Sequence, residues 1–267
     1  MGEQFDKDAI VGVALLAGAA NVIMQLARPG VGHGVVESRV ESGQLHRHPL
    51  KRARTTYSYL AVATLGTPAD RAAFRKAVNR VHAQVRSTPS SPVAYRALDP
   101  GLQLWVAACL YRGFEDTHRA FLGPIPDIER LYRSAATLGT TLQVREDAWP
   151  ADRAAFEEYW QASLSEVAFD ETVRRYLTDV AELRFLPRPF AVLFGRFNRF
   201  ATTGFLPPEF RAPMRLQWTE RDRRRFARLT WTVRAVVRAL PPALRRFPFD
   251  LLLWDVRRRV RAGRPLV

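Results

Sequence analysis

Proline and glycine cut this chain into lengths that suit helices. Pro49 opens a run that reaches Leu65 before Gly66 closes it. Proline is tolerated in a first helical turn, where its missing N–H has no partner to lose, and glycine is a common helix stop. Thr67-Pro68-Ala69-Asp70 gives a second start, with an N-cap hydroxyl, proline at the first position and an acid at the third. Its helix is expected to end near Arg86, ahead of the plain loop Ser87 to Pro92. Asp99-Pro100 starts a segment through Trp105 and Phe121 to Gly123-Pro124, and Pro126-Asp127 starts one ending at Gly139. Pro150 to Val167 is amphipathic, with Phe156, Tyr159, Trp160 and Leu164 along one side. Helical patterns also cover Glu171 to Leu183, Glu220 to Leu240 and Phe249 to Ala262. No run alternates apolar and polar with β-branched enrichment; Thr140 to Val144 comes nearest and is too short to build a sheet. The expectation is an all-α fold, a single domain over residues 1–267 with about eight to ten helices.

At 267 residues and 47% hydrophobic, the chain can bury a sizeable core and an internal pocket. Cys109 is its only cysteine, which excludes an intrachain disulfide and any cysteine-built zinc or iron–sulfur centre. The net charge of +15 is uneven: from Arg211 onward there are 16 arginines against 4 acids. Residues from about 205 to 267 therefore form a basic helical region. Basic segments interleaved with aromatics, such as Phe190 to Phe200 and Trp254 to Arg264, suit an anionic membrane surface. The plain alternative is an Arg-rich helix face packed on the core. No helix-turn-helix, zinc finger or RNA-binding motif accompanies the charge, so no specific nucleic acid is expected.

The start, MGEQFDKDA, lacks the basic run of a secretory signal. The uncharged stretch Ala9 to Ala27 could just cross ~30 Å of hydrocarbon. Its small residues, together with Asn21 and Gln25, favour a buried helix over a membrane span. The expected location is cytoplasmic, with peripheral membrane contact as the variant.

Chemistry-bearing residues are few. No glycine-rich phosphate loop follows a strand, no His-Glu-x-x-His motif occurs, and Glu-x-x-His occurs once, at Glu115 to His118, without the second copy a di-iron site needs. His46 and His48 read as a solvated basic loop, His33 as part of a glycine-rich turn, and His118 as a surface residue. His82 is different. Phe74, Val78, Val81 and Val85 step along one helix face, and the imidazole lies in that stripe. A core histidine satisfied by one hydrogen bond is the plain reading. The functional reading is a metal ligand facing a cavity, since one histidine suffices for a haem iron. Arg86, one turn on, would then suit a propionate.

The pair His82 and Arg86, inside VHAQVR, resembles the haem-helix motif of the latex-clearing (rubber oxygenase) and MpaB-type oxygenase family. MQLARPGVGHGV (Met24 to Val35), PLKRARTTYSYLAVATLGT (Pro49 to Thr67), LDPGLQLWVAACL (Leu98 to Leu110) and TTGFLPPEFR (Thr202 to Arg211) are similar to other pieces of that family, in the same order. The resemblance implies helices around an internal haem-sized pocket, haem b held by His82 and Arg86, and oxygenation of a hydrophobic small molecule, in this family often an isoprenoid, with O2. It also implies Lys51, Arg54 and Thr55 as the catalytic groups on the opposite face of the iron. Arg54 stands where latex-clearing members carry lysine, Arg28 and Ser38 where many relatives carry histidine, and Ala107-Ala108-Cys109 where many carry His-Ala-Thr. These departures bear on the hydrogen bonding around the pocket. The competing reading is an inactive or non-enzymatic helical protein that binds anionic membranes through its basic region.

Overall fold

The computed structural model describes Phe5 and residues 7–267, apart from the side chains of Asp8 and Ser42. Fourteen α-helical segments are found among them: α1 (Gly18–Leu26), α2 (Pro29–Val36), α3 (Pro49–Leu65), α4 (Pro68–His82), α5 (Pro100–Phe121), α6 (Ile128–Ala135), α7 (Thr137–Thr140), α8 (Arg153–Leu164), α9 (Glu171–Ala181), α10 (Arg188–Phe205), α11 (Pro208–Arg211), α12 (Glu220–Ala239), α13 (Pro242–Arg246) and α14 (Phe249–Arg261). Most of the excess over eight to ten comes from one-turn pieces, α7, α11 and α13, which follow breaks in longer helical paths. No strand forms among the described residues; Thr140 to Val144 is turn and loop, and the sole bridge pairs Arg86 with Arg96.

The starts follow their sequence signals. Thr67 and Asp70 exchange side-chain and backbone hydrogen bonds in a capping box before α4, and Thr219 and Asp222 do the same before α12. The Asp99 carboxylate accepts from Leu102 N–H at the start of α5. The end of α4 departs from expectation. It stops at His82, because Val85 and Ser87 take up backbone hydrogen bonds with Ala97 and Tyr95 in an extended pairing. Arg86 therefore leaves the helix and is exposed.

α5 is the central element, packed by α1, α7, α12 and the 3-10 segment Gly12–Ala17. Trp105 stacks on Trp160 at 5.2 Å, and Tyr111, Tyr132, Trp149 and Phe156 form an aromatic cluster beside them. The uncharged stretch that ends in α1 lies buried against α5. Its two polar residues explain the fit. Asn21 Nδ2 donates to the Cys109 carbonyl at 2.7 Å and Gln25 Nε2 donates to Asn21 Oδ1 at 2.6 Å. Gly113 permits this approach, since a Cβ there would lie 2.2 Å from Asn21 Nδ2. No helix among the described residues is long and apolar enough to cross a membrane.

The C-terminal helix α14 closes the fold over α3. Phe249, Leu253 and Val256, at i, i+4 and i+7, are buried, and α3 is its main neighbour. Arg257 reaches Asp70 at 2.8 Å and so ties α14 to the start of α4. The basic region is thus in part an Arg-rich helix packed on the core.

Candidate functional site

His82 is the last residue of α4, one turn beyond buried Val78. The stripe that begins with Phe74 and Val78 carries the ring to a half-buried position. Its Nδ1 is shut off from solvent, and neither ring nitrogen has a hydrogen-bond partner among the described residues. Burial, and then the positive charge of Arg52, hold its pKa down to about 4. The imidazole is therefore neutral at ordinary pH and keeps a lone pair. The structure thus does not show a core histidine satisfied by a hydrogen bond; nor does it show the acceptor that usually orients a ligating ring.

α3 supplies the neighbouring groups. Its first half is polar and its second half, from Ser58 to Leu65, is core. Arg52 is the cation felt by His82. It has neither hydrogen bond nor ion pair among the described residues, and burial lowers its pKa while Tyr176 of α9 counteracts that. Three residues on, the Thr55 hydroxyl is buried without a partner among the described residues. Tyr176 in turn meets His46 edge-on at 5.6 Å. The end of α4, the face of α3 that carries Arg52 and the middle of α9 thus bring a neutral imidazole, a guanidinium unpaired among the described residues and a phenol into one region, and Thr55 follows Arg52 at i+3 on α3.

The other candidates lie elsewhere. Lys51 is exposed. Arg54 is turned to α14, with Nη1 3.7 Å from Asp255 Oδ2 and Arg259 nearby. Adjacent helical residues point about 100° apart, so Arg54 and Thr55 address different neighbours. Arg86 sits on the extended segment and pairs backbone with Arg96. His46 and His48 are exposed and meet Asp179 and Glu41. His33 is held on both nitrogens, by Glu37 at 2.9 Å and Asp170 at 2.6 Å, and is a structural tie between α2 and the cap of α9. His118, read from its acidic neighbours as a surface residue, is buried, because it shares a face of α5 with Tyr111 and Glu115.

Arg52 escaped sequence reading. It stands between Lys51 and Arg54, and only its i, i+3 register with Thr55 could have singled it out. Two of the departure positions also meet. Arg28 lies over Trp105 at 5.2 Å and reaches Ser163 and Glu166, and its charge is felt by the buried Cys109 thiol, whose pKa burial raises. The Tyr159 hydroxyl beside them is buried, with Ser163 as its polar neighbour.

The sequence profile described as "ER-bound oxygenase mpaB/B'/Rubber oxygenase, catalytic domain" matches residues 9–235. The chain belongs to this oxygenase family. The match takes in α1 to most of α12 and so includes His82, Arg52 and Thr55; α13 and α14 lie beyond it. Two mycobacterial proteins, both named as uncharacterized, are similar over 255 residues at 55% identity, covering 95% of this chain and all of the relative. One is from Mycobacterium tuberculosis and the other from Mycobacterium bovis. No solved structure matches the chain. For an oxygenase catalytic domain, a neutral imidazole beside unpaired polar groups is chemically apt: one can bind iron, the others can bind and orient what accompanies it.

Proposed function

We propose that this chain is a haem b-dependent oxygenase acting with O2 on a hydrophobic small molecule, with His82 as the ligand to iron. The observation that carries the reading is the state of His82: half-buried, neutral, and with its enclosed Nδ1 lacking a partner among the described residues. Among the described residues no cluster of three or more His, Cys, Asp and Glu could cage a bare metal ion. A haem brings four nitrogen ligands of its own and asks one imidazole of the protein. The remaining groups fit it as well. The Arg52 guanidinium has no carboxylate among the described residues, and a haem presents two. When bound, haem supplies the O2 chemistry, and the protein supplies position and polarity.

The residues then divide the work. Arg52 holds an anionic edge and adds to the burial that keeps His82 deprotonated. Thr55, with its hydroxyl free, donates a hydrogen bond where negative charge develops. Apolar side chains of the second half of α3 exclude water. Lys51, Arg54 and Arg86, expected from the resemblance to share in this, take part only if side chains on α3 and the segment after α4 rearrange.

The test is the absorption spectrum of the protein with added haem. A Soret band that follows one-to-one binding, and that a folded His82→Ala variant loses, supports the reading. An unchanged band in that variant, with helical circular dichroism intact, removes His82 from the role.

A further inference from the structure

The first half of α10 is a helix with its apolar side in the wrong place. Phe190, Leu193, Phe194 and Phe197 follow i, i+3, i+4, i+7 and fall within an arc of roughly 100°. They are between 45 and 69% exposed. The buried side of this half is instead built on Gly195, whose hydrogen lies against the Glu182 carbonyl: a Cβ there would come within 2.4 Å of that oxygen. Single exposed apolar residues are ordinary, but a contiguous ridge of three phenylalanines and a leucine marks a contact surface.

Charge says what covers it. Arg188 begins the helix and Arg196 lies at the edge of the ridge; neither has an ion pair or hydrogen bond among the described residues. An open cleft of about 650 Å³ runs beside Arg196, between α10 and the start of α12, with Phe200 and Trp218 in its lining. Glu182 secures the two other arginines there, Arg184 and Arg199, each at 2.5 Å, so Arg196 is left to meet something from outside. Beyond the cleft, whose α12 wall is Asp222, the outer side of α12 carries Arg221, Arg224, Arg225, Arg228 and the exposed Trp231 at three- and four-residue spacing, with Arg224 paired to Glu220 at 3.4 Å. A second copy of this chain would set this dense positive charge against itself in a two-fold contact.

We propose that the α10 ridge inserts into the headgroup layer of an anionic lipid bilayer, with Arg196 taking a lipid phosphate at the mouth of the cleft. Phenylalanines bury into the acyl boundary while arginines at their flanks stay with the phosphates. The proposal rests on this surface alone and is independent of haem binding.

Sedimentation of the full chain with vesicles tests it, using phosphatidylcholine alone and phosphatidylcholine mixed with phosphatidylglycerol. Binding is expected to the anionic vesicles only and to weaken with salt. The exposed triple variant Phe190→Ser, Phe194→Ser, Phe197→Ser is expected to bind at least about tenfold more weakly with its circular dichroism unchanged. Arg188→Gln with Arg196→Gln should weaken binding by roughly thirty-fold, about five-fold per cation. Arg258→Gln with Arg261→Gln removes the same charge from α14 and should do far less. A polarity-sensitive dye on Leu193→Cys should shift to the blue on binding; the native thiol, Cys109, is fully buried and escapes labelling. Equal binding by the triple variant, equal loss in the α14 pair, or no binding to anionic vesicles overturns the proposal. A dimer in gel filtration that the triple variant dissolves does so too, by giving the ridge to a second copy.

Discussion

Glu115 and Asp116 are consecutive acids on α5, and their surroundings set them apart. Glu115 is fully buried and sits between two guanidinium groups, Arg119 at 2.6 Å and Arg153 at 3.0 Å. Asp116 has neither ion pair nor hydrogen bond among the described residues, and burial pushes its pKa from the ordinary 3.8 up to about 6, against the pull of Arg112 and Arg119 and with the push of Glu115. The folded state thus holds this proton more tightly than the unfolded chain. Its contribution to stability is present in full below about pH 4 and is lost as pH rises through 6. The loss by pH 7 is up to about 3 kcal/mol. Asp116→Asn should therefore raise the urea midpoint at pH 7 and leave it nearly unchanged at pH 4; an equal shift at both values would contradict the assignment. His82 was legible at this scale because an imidazole in an apolar stripe is conspicuous. Arg52 was not, because composition cannot tell which cation in Lys51-Arg52-Ala53-Arg54 turns inward.

Helix starts were legible and helix ends less so. A start is a chemical event written in a few residues, such as the box of Thr67 and Asp70. The end of α4 is set by competition with residues 85 to 97, which are distant enough in sequence to escape any local pattern. Asp70 also accepts from Arg257 of α14, so its removal has two effects. Asp70→Ala should cost about 1–2 kcal/mol, most of it from the lost cap. Arg257 is 45% exposed, and Arg257→Ala should cost less than about 1 kcal/mol. Urea titration of the two variants separates the contributions; equal costs would show that the tie to α14, and not the cap, is what Asp70 provides. α10 was read from its sequence as a basic aromatic segment, and the structure makes it a helix whose ridge faces outward.

For the whole molecule, the all-α class, the buried first helix and the helical C-terminus followed from periodicity and punctuation. The place of α14 did not, because apolar residues on two helices do not announce that they will meet. Leu253 is the test of that meeting. It is 7% exposed, in the middle of the buried side of α14. Leu253→Ala should destabilise by about 2–4 kcal/mol, and should lower hydrogen-exchange protection in α3 more than in α8. Unchanged protection in α3 would show that α14 is not what holds it. The clasp also fixes an order of events during synthesis. Asp70 and Arg257 are 187 residues apart. At about 5–20 residues per second, the ribosome needs roughly ten to forty seconds to bring out the second after the first. For that interval α3 and the start of α4 stand unroofed, and their apolar side stays open until α14 is made.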